Sequence, residues 1–66
     1  MTIMLNGTQR EVREASTLAE LIAALGLEGT ALVAEVSGQI VMPDAYASAT
    51  LKPGDHVELV RFVGGG

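Results

Sequence analysis

Between Thr17 and Gly26, Leu18, Leu21, Ile22 and Leu25 recur at i, i+3, i+4 and i+7, the spacing that places four large aliphatics along one stripe of a helix. Thr17 stands three residues before Glu20, as a capping box requires: the hydroxyl accepts from an early backbone N–H and the carboxylate reaches back to the cap. Gly26 lies where a left-handed residue ends a helix. A helix of about two and a half turns with a single apolar face cannot stand alone in water. It needs a second layer, and a sheet is the obvious one.

The flanking segments supply strands. Thr2 to Leu5 is a short apolar run, followed by Asn6-Gly7, the dipeptide most suited to a two-residue type I′ turn. With Gln9 to Arg13 behind it, this reads as an opening hairpin. Thr30 to Val36 is small or β-branched, Ser37-Gly38 breaks the run, and Gln39-Ile40-Val41 resumes it, giving a third strand, a turn and a fourth. Ala31, Leu32, Val33, Ala34 and Val36 are apolar at both parities, the pattern of a strand buried on both sides. Met42-Pro43-Asp44 opens an irregular crossing, with one turn of 3₁₀ helix expected over Asp44 to Tyr46. Lys52-Pro53-Gly54-Asp55 is a turn, and His56 to Phe62 alternates as a last strand. The order predicts an α+β chain of β-grasp, or ubiquitin-like, layout: a mixed sheet of four to five strands with one main helix on one face. The expected division is a domain over 1–63 and a flexible glycine tail over 64–66.

Sixty-six residues make one domain with one modest core, too short to build a cleft between layers and line it with a catalytic set. The chain reads as a carrier or binding module and not as an enzyme. Eight acidic residues against four basic ones, Arg10, Arg13, Lys52 and Arg61, give a formal charge of -4, which disfavours nucleic acid and anionic membrane surfaces as partners. Cysteine is absent and His56 is the single histidine, so neither a redox thiol nor a metal centre is expected. Without a long apolar run or a basic leader, the expected location is the cytoplasm.

Gly64, Gly65 and Gly66 are the segment most suggestive of chemistry. Three glycines after a strand surrender much backbone entropy if ordered, so they read as a thin wire not meant to pack. A terminus that must pass through a narrow channel to reach a nucleotide would be obstructed by side chains, and glycine removes them. The expected reaction is attack of the Gly66 α-carboxylate on the α-phosphate of ATP held by a partner enzyme, giving an acyl adenylate open to attack by sulfur.

The hairpin with Asn6-Gly7, the helix Leu18 to Leu25, the segment Gly38-Gln39-Ile40-Val41, the turn Lys52-Pro53-Gly54-Asp55 and the ending Val63-Gly64-Gly65-Gly66 together resemble the bacterial thiamine-pathway sulfur-carrier family, ThiS. The resemblance spans essentially the whole chain; its most specific element is the glycine end behind a Pro-Gly-Asp turn and a β-prone strand. It implies adenylation at Gly66 by an E1-like, ThiF-like adenylyltransferase that uses ATP, with no cofactor bound by the chain itself. It further implies conversion to a thiocarboxylate with sulfur from a cysteine desulfurase or persulfide relay, and donation to a ThiG-like thiazole synthase that forms thiazole phosphate. Gly65 and Gly66 match the family's terminal pair, and Gly64 stands where other members can carry a different small residue. Related readings are a carrier for molybdopterin synthesis, a ubiquitin-like modifier joined to lysines, and a plain interaction module.

If Val57 and Leu59 face the helix, the period of two sends Glu58, Val60 and Phe62 to the opposite face, where they would form a docking surface next to the tail. The opposite register would make Phe62 a core residue. His56 reads as a turn residue opening the last strand, and Tyr46 as a lid over the core edge.

Overall fold

The computed structural model describes residues 1–62; Val63, Gly64, Gly65 and Gly66, and with them the expected boundary between domain and tail, lie outside the described residues. The elements are strands β1 (Thr2–Leu5) and β2 (Thr8–Glu11), helix α1 (Leu18–Ala24), strands β3 (Leu32–Val36) and β4 (Gln39–Val41), a 3₁₀ helix (Pro43–Ser48) and strand β5 (His56–Arg61). The strands form one mixed sheet in the order β2-β1-β5-β3-β4. Only the β1–β5 pair is parallel among these. This is the β-grasp arrangement expected from the element order.

Both hairpins turn as their residues dictate. Asn6 and Gly7 take φ of 48° and 82°, and Leu5 pairs with Thr8 across the two-residue loop. Ser37 and Gly38 take 46° and 88°, and Val36 pairs with Gln39. Positive φ at both central residues gives the twist that matches the strands. Gly54 at φ 83° follows Pro53, and the Asp55 N–H donates to the Lys52 carbonyl at 3.1 Å, closing a type II turn. The Asp55 carboxylate tightens it, accepting from the Lys52 N–H at 2.8 Å and from the Ser37 hydroxyl at 3.0 Å.

The helix starts where the sequence places it. The Glu20 N–H donates to Thr17 Oγ1 at 3.1 Å, and the Thr17 N–H donates to Glu20 Oε1 at 2.8 Å, completing the capping box. Gly26, at φ 73°, follows the end. Leu18, Leu21 and Ile22 are buried with Ile3, Leu32, Ala34, Leu51, Val57 and Leu59 in one cluster, while Leu25 and Tyr46 pack at its margin. The helix therefore covers the face bearing Ile3, Leu32, Ala34, Val57 and Leu59.

Three expectations need correction. β2 ends at Glu11, and Val12 leaves the strand to pack against the core. The 3₁₀ helix runs from Pro43 to Ser48, longer than one turn, because Pro43 opens it and Ala45 N–H already donates back to Met42. β3 is not buried on both sides: Leu32 and Ala34 lie in the core, whereas Val33 and Glu35 remain half-exposed on the uncovered face. Its apolar residues of both parities serve a core on one side and an apolar surface on the other.

Asn6 has a second task beyond the turn. β1 ends at Leu5, yet the Asn6 N–H continues the parallel ladder to the Val57 carbonyl at 2.8 Å. Its side chain then supplies the next rung: Leu59 N–H donates to Asn6 Oδ1 at 2.9 Å and Asn6 Nδ2 donates to the Leu59 carbonyl at 3.3 Å. Removing that amide strands two backbone groups at a buried residue. Asn6→Gly, which removes the amide but tolerates the positive φ of the turn, is expected to lower the unfolding free energy by about 1–3 kcal/mol in urea denaturation, the cost of unsatisfied buried groups; a change within a few tenths would show that water replaces the rung.

Candidate functional site

β5 occupies the middle of the sheet, with β1 on one side and β3 on the other. Val57 and Leu59 are buried, and the intervening residues must point away from the helix. Glu58 is exposed, Val60 is 59% exposed and Phe62 is 61% exposed, so the register that makes Phe62 a core residue is ruled out. Just beyond the strand, the Phe62 N–H donates to the Ala31 carbonyl at 3.1 Å, which holds the backbone in the ladder up to the last described residue.

Pairing brings further residues onto this face. Val33 lies opposite Val60, and Glu35 lies between Glu58 on β5 and Ile40 on β4. Ile40 is 65% exposed and Met42, one residue past β4, is 61% exposed. Ile40, Met42, Val60 and Phe62 thus form one apolar surface, continuous with a groove walled by Ala31, Val33, Met42, Pro43, Tyr46 and Phe62. The Tyr46 hydroxyl oxygen is buried there with no hydrogen-bond partner among the described residues. Large apolar side chains gathered on one face mark an interaction surface more often than scattered ones do.

Ile40, Met42 and Glu35 were missed from the sequence, because no local pattern gives the register of a three-residue strand. The alternation Ile40, Val41, Met42, with Val41 packed on the core, was the available signal. His56 opens β5, exposed, with its backbone N–H donating to Ser37 Oγ at 3.3 Å. Among the described residues no group of histidine, cysteine, aspartate and glutamate could hold a metal ion, and no helix is long and apolar enough to cross a membrane. The glycines Gly64, Gly65 and Gly66 follow directly in sequence from Phe62 and Val63 and lie outside the described residues.

A family model described as the ThiS family matches residues 3–66. The chain belongs to the ThiS family. That is the thiamine-pathway sulfur-carrier family whose motifs its residues resemble. Among solved structures, the chain is similar to the crystal structure of the thiamine biosynthesis protein ThiS from Geobacter metallireducens, at 32% identity and a TM-score of 0.85 with both chains fully covered. A solution NMR structure of a thiamine biosynthesis protein from the same organism matches at a TM-score of 0.77, covering all of this chain and 88% of that one. Two curated relatives, from Paramagnetospirillum magneticum and Magnetococcus marinus, are each 32% identical over 66 residues and are named thiazole synthase. The chain spans 20% of the length of these relatives.

The opposite environments of neighbouring β5 residues give a paired expectation. Phe62→Ala should cost less than about 1 kcal/mol of stability, as for an exposed side chain, whereas Leu59→Ala should cost about 2–5 kcal/mol as a core truncation. Urea denaturation of the two variants checks it, and equal losses would contradict the assigned faces.

Proposed function

We propose that this ThiS-family chain is a sulfur carrier whose reactive group is the α-carboxylate of Gly66, modified by partner enzymes and not by any catalyst of its own. The observation that carries the reading is that the family match runs through Gly64, Gly65 and Gly66. The chemistry requires a free α-carboxylate at Gly66. One of its oxygens attacks the α-phosphorus of ATP in an E1-like, ThiF-like adenylyltransferase; pyrophosphate leaves and an acyl adenylate forms. The terminal sulfur of a persulfide, on a cysteine desulfurase or relay protein, then attacks the acyl carbon and expels AMP. A second thiol cleaves the resulting acyl disulfide, taking the donor sulfur into a new disulfide and releasing the thiocarboxylate. ATP belongs to the partner, and the carrier binds no cofactor. A reaction that consumes ATP and reduced thiols fits the cytoplasm.

A thiocarboxylate is anionic at neutral pH and nucleophilic, so a chain without cysteine can still deliver reactive sulfur. The acceptor we propose is a ThiG-like thiazole synthase that forms thiazole phosphate. Support comes from the two relatives of that name, which carry a segment similar to this entire chain within a much longer polypeptide. Covalent joining raises the effective concentration of groups that must meet repeatedly. Val60, Phe62 and Glu58 serve in this reading as the docking surface that delivers the glycines to each partner.

Incubation with ATP, an E1-like adenylating enzyme and a persulfide donor should raise the intact mass by the exchange of one oxygen for sulfur. Deleting Gly66 should abolish that change while leaving the melting temperature in place. A lysine conjugate of higher mass would instead indicate a protein modifier, and unchanged transfer without Gly66 would overturn the assignment.

A further inference from the structure

The uncovered face of the sheet is apolar toward β4 and the end of β5, polar toward β2, and acidic between them. Glu35 and Glu58 are directly paired across β3 and β5, and the Ser37 N–H to His56 carbonyl bond two residues along places them in the hydrogen-bonded type of antiparallel pair. Like charges directly opposite one another on neighbouring strands are unfavourable. Among the described residues neither carboxylate has a cationic partner: the ion pairs are Arg13 with Glu20 and the amino terminus with Glu11, and neither includes Glu35 or Glu58. Around the acidic pair stand Ile40 beside Glu35, and Val33 and Val60 one rung further along, followed by Met42 and Phe62.

We propose that this face docks a heterologous protein surface that is apolar and presents a basic side chain, an arginine by preference, between Glu35 and Glu58. The proposal rests on the carrier reading and names the chemistry its partners must share. Two adjacent carboxylates offer four acceptor oxygens, and a guanidinium presents donors in a planar fork that can engage both. Bound between them, it converts a repulsive pair into two charge-assisted hydrogen bonds, in surroundings from which the apolar rim excludes water. The formal charge of -4 steers the whole molecule toward such a partner.

The same pair selects against a second copy of this chain. An isologous contact through this face would bring two Glu35–Glu58 pairs into one interface, four carboxylates with no lysine or arginine beside them among the described residues. Desolvating them together is strongly unfavourable, so the apolar surface can stay exposed without self-association.

The test uses the full chain with Glu35→Gln/Glu58→Gln, which keeps shape and hydrogen-bonding capacity, and a control, Glu14→Gln/Glu28→Gln, with the same change in net charge at exposed sites elsewhere. Binding to the E1-like adenylating enzyme is measured by calorimetry across a salt series, and self-association by sedimentation. The Glu35/Glu58 variant should bind at least about tenfold more weakly, with most of its salt dependence lost, and should dimerise more readily than wild type. The control should retain affinity to within about threefold, since remote charges act mainly on encounter rate. Equal weakening in both variants, unchanged affinity in the first, or a wild-type dimer would overturn the proposal. The melting temperature of the first variant should equal or exceed that of wild type; if it does not fold, Glu58→Gln alone, at an exposed position, decides the matter. Failure of the carrier reading is separately visible: the wild-type chain would then bind its partner without ever gaining sulfur at Gly66.

Discussion

Burial of Val57 and Leu59 in one cluster with Leu18, Leu21 and Ile22 fixes everything that β5 can present on its other side. A strand has a side-chain period of two, so once these residues face the helix, Glu58, Val60 and Phe62 have no choice of direction. A slip of one residue would drive Glu58 into the core and expose Val57 and Leu59, an exchange that neither the charge nor the aliphatics tolerate. The surface features are therefore enforced by the core, and the helix stripe that opens the case for a two-layer fold also determines the character of the face it does not touch.

Directional groups then hold β5 in place. The strand sits between a parallel neighbour that stops early and an antiparallel neighbour that continues to its end. Asn6 repairs the early stop by offering its side-chain amide to Leu59, and Asp55 anchors the beginning of the strand through Lys52 and Ser37. Ladder bonds persist to Phe62, the last residue with a described position. Edge strands β2 and β4 are short, and every residue of β2 is exposed, with Arg10 and Glu11 among them. Such edges discourage further pairing, leaving the open face as the main surface with apolar character.

The local signals were readable in the sequence because each resides in a few adjacent residues. Asn6-Gly7, the Thr17 to Glu20 box, Gly26 and the Pro53-Gly54 turn each carry their own conformational reason, and all adopt the expected geometry. The alternation of β5 was readable but left two registers, one of them with Phe62 in the core, and the burial of Val57 and Leu59 decides between them. What was not readable required knowledge of registers between distant strands. The presence of Glu35 beside Glu58 depends on the β3–β5 pairing, and of Ile40 beside Glu35 on the β3–β4 pairing. The apolar residues of β3 looked doubly buried because hydrophobicity alone does not distinguish a core from an uncovered apolar surface. Asn6 likewise gave away its turn but not its bond to Leu59, fifty-three residues on.

On the carrier reading these facts bear on how a partner recognises the chain. Three successive glycines offer no side chains, so a partner that handles Gly66 gains little there beyond backbone hydrogen bonds, and those are modest in net worth. Discrimination must then come from the folded part, and β5 leads from the uncovered face directly into Val63 and the glycines. Any enzyme that draws Gly66 into its own site is constrained by the few residues between Phe62 and Gly66, which at about 3.3–3.6 Å each span only a short distance. On this reading an adenylating enzyme and a sulfur acceptor would both work within this short reach of the folded part.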